Sequence, residues 1–376
     1  ILEEKWVSLY GQVEAFNEMF DDCFLEIDPS NNDKMKVMVQ CSANMGPDII
    51  GQINESNFQL YHSAGILMDV SEIARKMGFG PETLPPQIRP LTMMKVLEKD
   101  GSYVDRQYLY PCNVWHGFIL YNKNMFDKYG VEYPSEDLTW EEYIDKATEL
   151  TKYREDSKIP EIFGGMDAMP WANTIVQILI WEMGGNIINE DGTRCMLAEP
   201  EAVKALIYYY ELMHKLKVEP TQAAKDGISG QGGWGNGPIN WFGGGKVGML
   251  WGARWMLVSI RRFQMEQEEA RDMWLKDNPN ARPDEGPQII RMGACKVPRF
   301  KDGKRYTVFG ARCAAVNAKG KSRDKAVNFL KYLATEEYCS TINQGADSKP
   351  GAAAYNKLEL MNNPRFPGED EISRMS

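Results

Sequence analysis

Histidine is scarce in this chain, with three in 376 residues. His62, His116 and His214 stand in no His-Glu-x-x-His pattern and beside no nucleophile motif, and no Gly-x-Ser-x-Gly elbow occurs. The usual hydrolase constellations are therefore not written here, and no catalytic residue is assigned. Glu141-Glu142 reads as a pair of first-turn helix acids serving the cap and dipole. Glycosidase carboxylates obey no spacing rule in sequence, so a carbohydrate-active hydrolase stays open as an alternative. The seven cysteines, Cys23, Cys41, Cys112, Cys195, Cys295, Cys313 and Cys339, form no Cys-x-x-Cys pair. That argues against zinc, and no metal or cofactor is expected. Their expected role is that of buried small hydrophobes. Basic charge is in deficit: 43 Lys and Arg against 53 Asp and Glu give a net −10. With no basic cluster, nucleic acid and anionic membranes are poor partners. No apolar run is long enough to span a bilayer. The chain opens at Ile1, without Met or a signal peptide, so its natural start is expected upstream.

What the chain has in quantity is length and aromatic rings. At 376 residues it exceeds one ordinary core, so two lobes are expected. Tryptophans number 10 and tyrosines 17. The stretch that organises the rest runs from Tyr108 to Thr151. The apolar run from Tyr108 to Tyr121 predicts one buried strand, stopped by Asn122-Lys123. Met125, Phe126 and Tyr129 then sit at helical spacing, and Gly130 ends that helix. Thr139-Trp140-Glu141-Glu142 is a capping box opening a helix to about Thr151, with Tyr143, Ile144, Ala147 and Leu150 on one face.

A strand ending in Tyr-Asn-Lys, a Phe-x-Lys-x-Gly helix, a proline and then Thr-Trp-Glu-Glu resembles the first crossing between lobes in the extracellular solute-binding proteins of sugar ABC importers, the maltose-binding-protein-like family. The likeness continues in order through most of the chain. It includes Gly46-Pro47-Asp48-Ile49-Ile50, Leu67-Met68-Asp69-Val70, the run from Gly184-Gly185-Asn186 to Glu211-Leu212, Lys246 to Trp255, and Gln344 to Pro350. The resemblance implies an α/β two-lobe periplasmic-binding-protein fold (type II-like), with hinge crossings and an inter-lobe ligand cleft. It places 1–112 with 314–345 in the N-terminal lobe and 117–308 with 346–376 in the C-terminal lobe, with hinges near 112–116 and 309–313. It also implies a strand before Trp6 and helices after Ser376 that this sequence does not carry. Between these landmarks, helices are expected over Trp6–Phe20, over Asp33–Cys41 with Met35, Met38 and Val39 inward, and over Ala172–Met183 with Trp181 in the core. Phe24–Ile27 reads as a short strand. Gly230-x-Gly232-x-x-Gly235 matches a dinucleotide fingerprint in letters only, because Gly237-Pro238 follows it instead of a helix start, and it is read as a loop.

A pyranose has apolar C–H faces and hydroxyl edges. Tryptophan covers the former and polar side chains bind the latter. Ligands of open α/β sheets lie beyond strand carboxyl ends. On those grounds and by the resemblance, Trp115, Trp171, Trp234 and Trp255 are candidate stacking platforms. Gln52, Asn54, Glu55, His116, Arg254 and Asp347 are candidate polar contacts. For Asn54 a helix N-cap explains the residue equally well, and for any single Trp so does core packing. The implied function is capture of a mono- or oligosaccharide and its delivery to ABC permease subunits, by a monomer outside the cytoplasm. A lipid anchor on a removed or missing N-terminus is left open. A binding protein for a non-sugar ligand, such as a polyamine or osmolyte, is the other alternative.

Overall fold

The apolar run from Tyr108 to Tyr121 is two strands, not one. In the computed structural model Leu109–His116 and Phe118–Asn122 are parted at Gly117. The described residues are 4–28, 33–169, 174–229, 236–361, 363–366 and 368–375. In chain order their strands are β1 (Ile49–Ile53), β2 (Met93–Leu97), β3 (Tyr103–Gln107), β4 (Leu109–His116), β5 (Phe118–Asn122), β6 (Lys152–Tyr153), β7 (Pro160–Asp167), β8 (Val247–Gly252), β9 (Met292–Cys295) and β10 (Phe309–Val316).

The chain divides into two compact units, Ile1–Trp115 with Phe309–Met361, and His116–Val308 with Asn362–Ser376. It thus passes between them after Trp115, before Phe309 and after Met361. The sequence reading returned residues 346–361 to the second lobe, but they pack in the first unit. Lys349 exchanges backbone hydrogen bonds of 2.8 and 3.1 Å with Val114. The Asn343 amide donates to the Tyr355 carbonyl at 2.9 Å, and Ala352 is buried in that unit's core.

The first unit holds a three-stranded sheet in the order β1-β10-β4 and a β2–β3 hairpin. Its core gathers Phe16, Val70, Phe79, Tyr110, Val316 and Leu330. The helix Lys34–Ser42 buries Val37 and Cys41. Met35 and Val39, expected inward, lie 55% and 61% exposed. The inward stripe of so short a helix is too narrow to fix its phase from methionines alone. Phe24–Ile27 forms no strand. Asn17 Oδ1 accepts from the Leu25 N–H at 2.7 Å instead, and Phe24 is 79% exposed.

The second unit is built on a five-stranded sheet, β6-β7-β8-β5-β9. β7 and β8 run parallel, and β5 is antiparallel to both β8 and β9. The helix Trp140–Leu150 packs Trp140, Tyr143, Ala147 and Leu150 onto it. The Thr139 hydroxyl accepts from the Glu142 N–H at 3.2 Å, as a cap should. The reciprocal half of the predicted box is absent, because the Glu142 carboxylate accepts from the Ser135 N–H and hydroxyl at 2.8 and 2.6 Å. Trp140 and Trp251 stack at 5.5 Å in the core and are fully buried. Trp181, expected there, is only part-buried, with its ring 6.3 Å from Tyr306. No helix among the described residues is long and apolar enough to cross a membrane.

Candidate functional site

In the first unit the chain leaves β1 through an irregular pairing with β10. The register slips between Ile50 and Ile53. Gln52 sits there with φ 58°, a left-handed backbone uncommon for a residue with a side chain. Gln52 is exposed, and its carbonyl accepts from the Asn57 amide at 3.5 Å. Asn54 is the N-cap of the helix Glu55–Ser63. Its Oδ1 accepts from the Ser56 N–H at 3.2 Å and the Ser56 hydroxyl at 2.7 Å. The capping role therefore accounts for that side-chain oxygen. Glu55, the first helical residue, is exposed.

Glu55 converges with Trp115 on one spot of β10. A Cβ placed on Gly310 would stand 2.9 Å from Cζ2 of the Trp115 ring and 3.0 Å from Glu55 Oε1. The half-buried indole and the carboxylate thus share the ground above a bare backbone. Two residues along the same strand, and so on the same face, Arg312 pairs with Asp347 at 2.6 Å. The Asp347 carbonyl also accepts from the Asn113 amide at 3.1 Å. Asp347 is thus held by its neighbours in β4 and β10. Burial opposes the Arg312 charge, yet Asp347, with Cys112 and Tyr338, holds the guanidinium above its ordinary pKa.

In the second unit the register puts three chain segments at one end of the sheet. Phe118 at the start of β5 pairs with Gly252 at the end of β8, and Asp167 at the end of β7 pairs with Trp251. His116 therefore precedes, and Arg254-Trp255 follow, neighbouring strand positions. His116 Nδ1 lies 3.3 Å from the Gly117 carbonyl, and its ring meets Phe118 edge-on at 5.9 Å. Trp255 is half-buried on a single turn, Arg254–Met256. Arg254 is only 2% exposed, an interior side chain rather than an open ligand donor. Trp171 and Trp234 lie outside the described residues.

Behind this end lies a charged cluster that sequence reasoning missed. Asp167, Glu219 and Lys225 are all buried. Lys225 Nζ stands 3.6 Å from Glu219 Oε2 and donates to the Tyr209 hydroxyl at 3.0 Å. The Tyr143 hydroxyl donates to Glu219 Oε1 and accepts from the Trp251 indole N–H at 2.9 Å. Glu219 Oε2 also accepts from the Asp167 N–H at 3.2 Å. Burial raises the pKa of both carboxylates. It works against the Lys225 charge too, but Glu219, Tyr209 and Asp167 outweigh it and hold the ammonium above its ordinary value. Nothing in the spacing of 167, 219 and 225 signals this cluster. Gly310 did carry a signal, since a glycine inside a strand marks close approach. Among the described residues no group of three or more His, Cys, Asp or Glu is placed to hold a metal ion.

Two α/β units joined by three chain passages, each with an aromatic and polar patch at strand ends, define a two-lobe binding-protein fold. The family model for bacterial extracellular solute-binding proteins matches residues 28–338, and this chain belongs to that family. Solved structures with the same fold include an ABC substrate-binding protein from Listeria monocytogenes in complex with cycloalternan. It is 21% identical, with TM-score 0.70, covering 98% of this chain and 82% of that one. A solute-binding protein of an ABC transporter from Thermotoga lettingae, bound with α-D-tagatose, is 18% identical, with TM-score 0.68 and coverages of 98% and 86%. UgpB from Mycobacterium tuberculosis, in complex with glycerophosphocholine, is 15% identical, with TM-score 0.67 and coverages of 98% and 81%. At such identities the likeness speaks for the fold alone.

Proposed function

We propose that this protein is the capture component of a sugar importer. It binds a mono- or oligosaccharide and hands it, chemically unchanged, to the permease of an ABC transporter in the membrane. The observation that carries the reading is the meeting of the Trp115 ring and the Glu55 carboxylate over Gly310. An indole face takes the C–H side of a pyranose, and a carboxylate beside it accepts from ring hydroxyls. Trp255 in the second unit supplies a further aromatic surface, and Gln52 and His116 supply polar atoms. The cycloalternan and tagatose carried by the relatives agree with this class of ligand. Binding without turnover accords with a family of binding proteins and with a sequence that assembles no nucleophile–base motif.

The same pair supports a second reading. A ring face and an anionic oxygen also suit a cation such as a choline-bearing solute, the kind of ligand held by the mycobacterial relative. A thermal-shift screen separates the two, because a ligand that binds only the folded state raises its stability. Saccharides should raise the melting temperature, while choline esters, betaine and polyamines should not. The reverse pattern would replace the sugar reading with the cationic one.

A further inference from the structure

We propose that Gly310 is a positioning residue that sets ligand specificity in the first unit's patch, an inference that rests on the capture reading above. Gly310 is buried, so the ligand does not meet it directly. What covers it is the pair that would do the binding. A Cβ at this position would come 2.9 Å from Trp115 Cζ2, 3.0 Å from Trp115 Cε2 and 3.0 Å from Glu55 Oε1. Real Cβ atoms rarely tolerate such approaches, so something must move. The atoms in the way are the far ends of two side chains rather than backbone. Glycine's conformational freedom is not what is needed here, since Gly310 is absent from the left-handed positions. An alanine would thus leave β10 paired and displace the indole and the carboxylate together. The missing methyl group fixes how deep the ring lies and where the carboxylate sits beside it. That spacing selects a pyranose chair whose hydroxyls leave equatorially, near the mean plane of the ring and at the height of the carboxylate. Sugars differing in the orientation of one hydroxyl would be told apart by it.

The test measures equilibrium binding by calorimetry for glucose, galactose, tagatose, maltose, maltotriose and cellobiose. It uses the wild type, Gly310→Ala, Trp115→Phe and the double variant. The expected result is a Gly310→Ala protein that melts like the wild type yet binds its best saccharide about tenfold more weakly, with an altered order among the sugars. In the Trp115→Phe background the indole atoms in the way are gone and only Glu55 Oε1 still stands 3.0 Å from the added methyl group, so the same alanine should cost clearly less, about threefold or under. An equal loss in both backgrounds, no loss in either, or a Gly310→Ala protein that melts far below the wild type would overturn the proposal. Failure of the wild type to bind any sugar of the panel would instead remove the capture reading, and this inference with it. Normal sugar binding by Trp115→Phe, with wild-type binding intact, would take Trp115 out of the site and overturn this inference while leaving the capture reading standing.

Discussion

Two tryptophans four residues apart are set to very different tasks. Trp251 is fully buried, stacks on Trp140 at 5.5 Å and donates its indole N–H to Tyr143 at 2.9 Å. Trp255 is half-buried past the strand end. Trp251→Ala should therefore cost folding stability first, about 3–5 kcal/mol, as large aromatic truncations in cores do. Trp255→Ala should melt close to the wild type and lose most saccharide affinity. Paired melting and binding curves check this, and reversed behaviour would move Trp255 into the core. Glu182 offers a different test. Burial pushes its carboxyl from 4.5 up to about 7, against the favourable 2.7 Å hydrogen bond from the Trp140 indole. The folded protein then holds a proton there that the unfolded chain has released. This group's contribution is best at low pH, falls as pH rises from about 4.5 through about 7, and is flat above. Glu182→Gln should flatten that part of the stability profile and gain relative to the wild type at about pH 8. An unchanged slope would mean Glu182 is ionised throughout. At this scale the sequence was a partial guide. It placed Trp115 and Glu55 near strand ends, where both lie. It could not foresee that Arg254 is buried or that Trp181 is not a core residue, because side-chain direction depends on packing partners far away in sequence.

Among elements, the clearest sequence signals were the punctuated ones. Thr139 opens a helix and Gly130, at φ 66°, closes another. Asn122 caps the helix Lys123–Tyr129. The break at Gly117 lies inside a mostly apolar run, where periodicity carries no phase, and the His116-Gly117 step that marks it was read through. The helix Pro200–His214 turns several of its larger apolar residues outward. Val203, Leu206, Ile207 and Tyr210 are 40–54% exposed, while its alanines 202 and 205 and Leu212 are buried. The buried ion cluster links five elements, β7, β8 and the helices Trp140–Leu150, Pro200–His214 and Gln222–Ser229, and was legible in none of them. The helix Gln222–Ser229 contributes Lys225, whose ammonium is the cation facing Glu219 and Asp167. Lys225→Met should leave two buried carboxylates uncompensated and cost about 3–5 kcal/mol, with the loss eased as pH falls and they protonate. Chemical denaturation at two pH values measures it. A neutral effect would mean the carboxylates already share a proton without help from the lysine.

For the whole molecule, the order of motifs did what no single motif could. A three-residue step such as Pro47-Asp48-Ile49 is common, but its succession with the Thr139 cap, the Gly184-Gly185 stop and the strand before Trp255 implied the family, and the family model matches 28–338. The passage after Met361 was not legible, because what holds 346–361 in the first unit is backbone pairing of Lys349 with Val114 and single side-chain contacts, such as Arg312 with Asp347, between residues far apart in sequence. The central claim, capture of a sugar without turnover, is tested most directly by calorimetric titration of the wild type with the tightest saccharide, followed by chromatography of the recovered ligand. The account predicts saturable binding of a saccharide recovered intact, and a stabilisation of about 2.7 kcal/mol when the free ligand reaches a hundred times its Kd. Cleavage beyond one equivalent, or binding confined to cationic non-sugar solutes, would contradict it.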